Sequence, residues 1–404
     1  MVDNRWSMDC KELIESPKYY ATIDLRYNNK YNFKMSLEGL NALKKDKEQS
    51  IQNNEGLFNA LPLKTFNSKF VFFANSLELK SLESEFLGVN STICENHFDD
   101  YNYSRIFSET EGSLEIENVP TTTTRIEQIS KGANLSNKND RIIKNMLDAI
   151  EYVKTRPEFN KENLKQLYSI LSYDCLEEHQ VLHEKYYRDK MVYIDKYEGC
   201  PVEKIESCMD SLFEFVNNSL KNKKYALELA QICHYYIVYI HPYFDYNGRT
   251  ARMVELWVTL LSQDKELPLF LSEAINDEKH DYYLALKETR DMNNDVTYFL
   301  IYMYRIAIQY ALTYKNVDYI ENEMLKKGKS LTSTDKMYIK KIIIKSAKSY
   351  FDYRKFLSFS NVEISKQAAF KALNKLEEYG IISSIVNDQK MKLFKINEDF
   401  IQYE

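Results

Sequence analysis

His241-Pro242-Tyr243-Phe244-Asp245-Tyr246-Asn247-Gly248-Arg249-Thr250-Ala251-Arg252 lies between the two most regular helical patterns of the chain. Before it, Leu229, Ile232, Cys233, Tyr236, Ile237 and Ile240 form one apolar stripe within Tyr225–Ile240, the 3.6-residue period of a helix packed on a core. After it, Met253, Leu256, Trp257, Leu260 and Leu261 repeat the pattern. The twelve residues therefore read as a loop followed by a helix start. An imidazole at the end of the first helix is placed to accept a proton near neutral pH. Asp245, four residues on, is a suitable Mg²⁺ ligand, and Mg²⁺ usually arrives with phosphates. Asn247 and Gly248 open the second helix, where free amides and the positive dipole end form an anion site. Arg249 and Arg252 stand three apart, so both guanidinium groups can reach one polyphosphate. Together these groups describe transfer chemistry on a nucleotide.

Composition bounds the alternatives. The chain has 404 residues, 54 Lys and Arg against 60 Asp and Glu, 44% hydrophobic and 28% charged residues. These are values for a globular protein of two or three domains, not a disordered one. No apolar run reaches 18 residues and the N-terminus has no apolar signal region, so a cytoplasmic protein with no membrane association is expected. The six cysteines, Cys10, Cys94, Cys175, Cys200, Cys208 and Cys233, form no CxxC pair, which favours reduced thiols over a zinc ribbon or disulfide framework. Gly328-Lys329-Ser330 has the tail of a phosphate-binding loop, but Glu323 stands where its first Gly belongs, and no GxGxxG occurs. His179 and His183 are four apart without forming HExxH and read as structural; His97, His234 and His280 have no nameable partner.

Along the chain, Ala21–Met35 suggests a hairpin about Asn28-Asn29, Lys69–Phe73 a buried strand, and Lys44–Gly56 a polar loop. Helical periods follow at Ile142–Val153, Leu164–Leu171, Asp281–Arg290 and Val296–Tyr314, with a polar linker expected from Asn316 to Ser333. Residues 330–404 hold 13 Lys and Arg against 9 Asp and Glu. There, helical patterns at Met337–Lys345 and Tyr350–Phe356, a turn at Ser360-Asn361-Val362 and a helix capped at Ser365 and stopped at Gly380 precede two strands, Ile381–Val386 and Met391–Ile396. That order looks like a winged helix-turn-helix. Its reading helix would expose Ser365, Lys366, Gln367, Lys371 and Asn374, which suit phosphate and base-edge contacts with DNA, although such modules also serve protein contacts.

HPYFDYNGRTAR closely resembles the Fic motif, HPFx[DE]GNGRxxR. Seven required residues at fixed offsets, each near 5% usage, arise by chance in about 10⁻⁹ of windows. Tyr187-Arg188 with Val192 and Ile194 is similar to the family's target-holding β-hairpin flap, and Asp281–Leu286 and Asp295–Phe299 are similar to its YYxxL and D[VL]TxF segments. Ser113-Leu114-Glu115-Ile116-Glu117-Asn118 resembles the family's inhibitory motif, [ST]xxxE[GN]. The resemblance implies a mainly α protein: a Fic helical core at 101–315 with a small β-hairpin flap and an inhibitory helix near 108–120, a mixed α/β region at 1–100, and a winged helix-turn-helix at 330–404.

It also implies a protein adenylyltransferase that moves AMP from ATP, with Mg²⁺, to a Ser, Thr or Tyr hydroxyl of a target protein. His241 would take the proton, Asp245 would hold the metal, and Asn247, Gly248 and Arg249 would line the anion hole. Arg252 would grip the γ-phosphate, Tyr282 or Tyr283 would lie near the adenine, and Arg188, Val192 and Ile194 would hold the target. Ser113, Glu117 and Asn118 would form the brake, with Glu117 on Arg252; the same glutamate could instead orient water for removal of AMP. Self-modification, a homodimer and DNA binding through the winged helix are compatible with the resemblance. A DNA-binding regulator with a nucleotide-sensing Fic domain, and a transferase using another donor, are the alternatives. Two residues depart from the motif: Tyr243 replaces Phe, and Tyr246 replaces the first Gly, where a side chain restricts positive φ and adds bulk beside the phosphates.

Overall fold

The computed structural model describes residues 7–27, 34–93, 101–194, 197–224, 228–262, 271–346, 349–359 and 364–402. Contacts divide the chain into two units, Met1–Leu87 with Asn96–Ile306 and Gly88–Glu95 with Ala307–Glu404. The architecture is mainly helical, and the described strands form three two-stranded antiparallel hairpins.

The first unit opens with α1 (Cys10–Glu15), α2 (Thr22–Tyr27) and α3 (Leu37–Gln52), followed by the hairpin of β1 (Phe58–Leu61) and β2 (Val71–Ala74), which is the strand expected near Lys69–Phe73. Two expectations fail here. Thr22–Tyr27 is a helix where a hairpin strand was expected, while Asn28 and Asn29 lie outside the described residues. Lys44–Gln52 continues a helix capped by Ser36, not a polar loop, because Leu40, Leu43, Lys47 and Ser50 share one buried face. The buried lysine hides that face from a hydrophobicity pattern. Lys47 Nζ lies 2.7 Å from Asp295 Oδ2, over the rings of Tyr19 and Tyr298, and Tyr19 donates its hydroxyl proton to the same carboxylate at 2.7 Å. Val296 donates its amide to the Phe72 carbonyl at 2.8 Å, and Thr297 Oγ1 accepts the Ala74 amide at 2.7 Å. The N-terminal hairpin is thus fastened to the turn at Asp295.

Next come α4 (Leu77–Ile93), α5 (Tyr101–Ile116), α6 (Thr123–Ser130), α7 (Lys138–Lys154), α8 (Lys161–Ser172), the hairpin of β3 (Tyr193–Ile194) and β4 (Tyr197–Glu198), and α9 (Val202–Asn222). Then α10 (Leu229–Ile240) and α11 (Asn247–Ser262) flank the twelve-residue segment, followed by α12 (Ser272–Asp277), α13 (Lys279–Asp291) and α14 (Thr297–Lys326). Both α10 and α11 are buried on nearly every face, so they form the centre of the unit and hold the loop between them. Trp257 on α11 donates Nε1–H to the Pro157 carbonyl at 2.8 Å and packs edge-on against Phe159.

The boundary between units falls within α14, which runs to Lys326 through the stretch expected to be a linker. Val317, Ile320 and Met324 give it an apolar face beneath its lysines. That face joins α15 (Ser333–Ser346), α16 (Tyr353–Phe359), α17 (Lys366–Glu378), β5 (Ile382–Val386) and β6 (Lys392–Ile396) around Ile342, Phe351, Phe356, Leu373 and Phe394. Ser365 caps α17 by accepting the Ala368 amide, and Gly380 ends it at φ +75°. Phe351 pairs with Phe394, adding a one-residue third strand to the hairpin. Ser365, Lys366, Gln367, Lys371 and Asn374 are exposed, whereas the expected turn at Ser360-Asn361-Val362 lies outside the described residues.

The Lys47–Asp295 contact is fully buried, so removing one partner leaves an uncompensated charge. Asp295→Ala should lower the unfolding free energy by about 3–5 kcal/mol in urea titration, and a loss below about 1 kcal/mol would show that the contact does not anchor the N-terminal region.

Candidate functional site

The loop is held from below. Tyr243 is fully buried and stacks on Tyr168 with ring centroids 3.8 Å apart. Asn247 closes the loop on itself: Tyr243 donates its amide to Asn247 Oδ1 at 3.0 Å, and Asn247 Nδ2 donates to the Tyr243 carbonyl at 2.9 Å. Each polar group of that side chain thus makes one bond within the loop, and besides the backbone amide of Asn247 its second Nδ2–H is what the residue can offer an anion. Thr250 donates to the Tyr246 carbonyl at 2.8 Å, starting α11; the amides preceding it in the first turn have no intrahelical acceptor.

His241 caps α10 in the left-handed region, at φ +55°. Burial lowers the pKa of its imidazole to about 4, with the Arg188 charge acting in the same direction and the Val238 carbonyl opposing it. At neutral pH the ring is therefore an unprotonated acceptor. Arg188 is almost entirely buried. Its Nε donates to the His241 carbonyl at 2.8 Å, while Nη1 and Nη2 donate to the carbonyls of Lys190 and Cys200. Arg188, expected to hold a target, instead fastens the segment before β3 to the His241 loop. Val192 and Ile194 are half-buried on the flap itself; the Val192 carbonyl accepts the Gly199 amide at 3.0 Å and Ile194 pairs with Tyr197. Asp195 and Lys196 lie outside the described residues.

Asp245 is half-exposed; its Oδ1 accepts the Tyr246 amide at 2.6 Å and lies 3.7 Å from Arg249 Nη2. A carboxylate with one oxygen tied and the side chain open to solvent fits a partly hydrated Mg²⁺. Tyr246 takes up φ +65° despite its side chain, a conformation costing on the order of 1–2 kcal/mol outside glycine. Its buried ring lies under Arg249, with the guanidinium carbon 3.5 Å from the centroid. Arg249 is itself buried, and its Nε has no hydrogen-bond acceptor.

The expected inhibitory residues come from α5 and the turn after it. Arg252, 3% exposed, donates Nε–H to Ser113 Oγ at 2.8 Å and Nη2–H to the Ser113 carbonyl at 3.1 Å and to Glu117 Oε1 at 2.7 Å. Burial pushes the Glu117 carboxyl up, but the Arg252 charge and hydrogen bond outweigh it and hold the pKa below the ordinary value. A methyl group at Gly248 would lie 2.5 Å from Glu117 Oε1, so only glycine lets this carboxylate sit over the helix start. Asn118, at φ +57°, ends the motif and accepts from Lys279 Nζ at 3.0 Å. At Gly112, an added methyl would strike the Glu273 backbone at 2.5 Å, which brings α5 directly onto α12.

Tyr283 is half-exposed and meets the buried Tyr282 edge to face. His234, which had no nameable partner, is hydrogen-bonded between Glu255 Oε2 at 2.5 Å and the Tyr282 hydroxyl at 2.9 Å. These partners lie 21 and 48 residues away, so no spacing signalled them. Glu109 was also missed, although Glu109, Ser113 and Glu117 follow one another at intervals of four, a signal of one shared helix face. It accepts from the Ser272 amide at 2.9 Å and from the Ser272 hydroxyl. His179 and His280 are exposed beside Glu177 and Asp281, and His97 lies outside the described residues. Cys10, Cys175, Cys200, Cys208 and Cys233 are buried and unbridged, and among the described residues no helix is long and apolar enough to cross a membrane.

An imidazole acceptor, a half-open carboxylate and two buried guanidinium groups around a helix N-terminus form an arrangement chemically capable of binding phosphate and moving a proton beside it. Residues 158–259 match the model of the Fic/DOC family, and the chain carries a domain of that family. It is 28% identical over 119 residues to the protein adenylyltransferase Fic of Nematostella vectensis. That match covers 30% of this chain and about a quarter, 26%, of the relative's length. Among solved structures, it is similar to a Fic family protein from Desulfovibrio desulfuricans G20, at 16% identity and TM-score 0.49, covering 79% of this chain and 95% of the other. It is also similar to Fic-1 from C. elegans, at 16% identity and TM-score 0.49, covering 75% and 82%.

Glu109 supplies a test of how α5 is seated. Burial raises its pKa from 4.5 to about 7, with Glu255 adding to the rise and Ser272 and Arg252 opposing it. The folded state holds this proton more tightly than the unfolded state, so the contribution to stability falls as pH rises from about 4.5 to about 7. Across that window the wild type should lose more thermal stability than Glu109→Gln, measured as the midpoint of calorimetric unfolding; equal slopes would exclude a protonated Glu109.

Proposed function

We propose that the chain is a protein adenylyltransferase restrained by Glu117. The observation that carries this reading is the pair of buried arginines at the start of α11. Arg252 already has a carboxylate on it, while Arg249 presents a buried Nε–H without an acceptor. Phosphate oxygens supply what both guanidinium groups require. The family domain and the adenylyltransferase relative support the choice of ATP as donor and a protein hydroxyl as acceptor.

In the transfer, the acceptor oxygen forms a bond to the α-phosphorus, and the bond from that phosphorus to the bridging oxygen of the β-phosphate breaks. Pyrophosphate leaves, and the hydroxyl proton passes to the neutral His241 ring. Arg249 and the first amides of α11 face the oxygens on which negative charge concentrates. Asp245 would hold Mg²⁺, which supplies charge neutralisation between neighbouring phosphates. With Glu117 on Arg252, the guanidinium needed by the terminal phosphate is occupied and a carboxylate lies over Gly248. Its negative charge repels the polyphosphate from the productive position.

Glu117→Gly should raise incorporation of α-labelled ATP into the protein itself by on the order of ten-fold, and His241→Ala in that background should lower it about 10²–10⁴-fold. Unchanged incorporation in Glu117→Gly would remove the brake, and persistence in His241→Ala would remove the base. Because the imidazole pKa lies near 4, the acid limb of kcat/KM should fall well below pH 6.5 in stopped-time labelling assays. A limb centred at 6.5 or above would assign the base elsewhere.

A further inference from the structure

From the geometry around Tyr246 we infer that its ring is the shelf that positions Arg249 for the polyphosphate of a nucleoside triphosphate. This rests on the reading of the loop as a triphosphate site and adds a residue that tunes donor affinity. Three observations converge. The backbone at Tyr246 is held at φ +65°, a conformation a side chain keeps only where its surroundings over-determine it. The guanidinium carbon of Arg249 lies 3.5 Å above the ring centroid, so one face of the cation is covered by the ring's negative face. The Tyr246 hydroxyl lies beside the Cys175 thiol on the loop after α8.

These contacts explain how a guanidinium remains buried while its Nε keeps a free proton and its nearest carboxylate oxygen, on Asp245, stands off at 3.7 Å. The ring partly replaces the water that the cation has lost without using any of its N–H donors. Those donors stay available to an incoming phosphate, and the side chain is not free to swing away. The ring face, not the hydroxyl, covers the cation. A ring without the hydroxyl should therefore serve nearly as well, and an aliphatic side chain should not. Tyr246 is thus a positioning residue that acts through Arg249.

The test uses the full chain with Glu117→Gly as parent, and adds Tyr246→Phe, Tyr246→Leu or Tyr246→Gly. Two readouts are taken: affinity for ATP with Mg²⁺ by titration calorimetry, and the rate at which phenylglyoxal labels Arg249, followed by peptide mass spectrometry. Tyr246→Phe should match the parent in both. Tyr246→Leu and Tyr246→Gly should expose Arg249 to labelling and weaken ATP binding roughly ten-fold, with kcat/KM falling at least as far. The glycine variant relieves the backbone strain, so a loss there isolates the ring from the conformation; if it does not fold, the Phe and Leu pair carries the comparison. Parent-like labelling and binding in Leu and Gly, or tighter binding in either, would overturn the inference. If the parent binds no nucleotide while labelling still separates Phe from Leu, the shelf stands and the proposed function fails.

Discussion

A guanidinium withdrawn from water must be given anionic or carbonyl partners, and Arg252 imposes that demand at the centre of this protein. Its neighbours on α11 are buried on nearly every face, so the partners have to come from another element. They come from α5 and the turn after it, through the Ser113 hydroxyl and carbonyl and the Glu117 carboxylate. The close approach of α5 to α12 at Gly112, and of Glu117 to Gly248, follows from meeting that demand. On the proposed reading, satisfaction of a buried charge and occupation of the anion site are one contact. In the proposed function a polyphosphate meets Arg252 where Glu117 already holds Nη2, so restraint and transfer would compete for that guanidinium.

Around that contact the loop is assembled from groups spent on rigidity. Asn247 closes the turn, Tyr243 roots it in the core, and Arg188 binds the carbonyl of His241 to those of Lys190 and Cys200. None of these side chains needs to touch a substrate for the loop to depend on it. What they secure is a fixed separation between His241 and the start of α11, and in the proposed transfer preorganisation of this kind would spare the site reorganisation. Farther out, the Asp295 and Lys47 pair fastens the N-terminal hairpin to the start of α14, setting a buried ion pair beneath segments whose sequences look unremarkably polar.

The twelve residues from His241 to Arg252, the flanking helices and the spacing of Ser113 and Glu117 were legible because each depends on local period or fixed offset. Side chains three or four apart share a helix face whatever surrounds them, so their juxtaposition follows from the chain alone. Where legibility failed, a long-range partner had changed the meaning of a polar residue. Lys47 reads as solvent-facing until Asp295 arrives from 248 residues away. His234 reads as idle until Glu255 and Tyr282 close on it. Asn316–Lys326 reads as a linker until Val317, Ile320 and Met324 find an apolar core.

Sequence alone settled a mainly helical chain, the position of the loop and the residue types capable of phosphate chemistry. Tertiary structure decided which polar groups are free and which are consumed. Asn247 and Arg188 proved to be fasteners, and Tyr246 lies beneath Arg249. The reason is physical: offset along a helix determines direction, but the burial and pairing of a polar group depend on every element that packs against it.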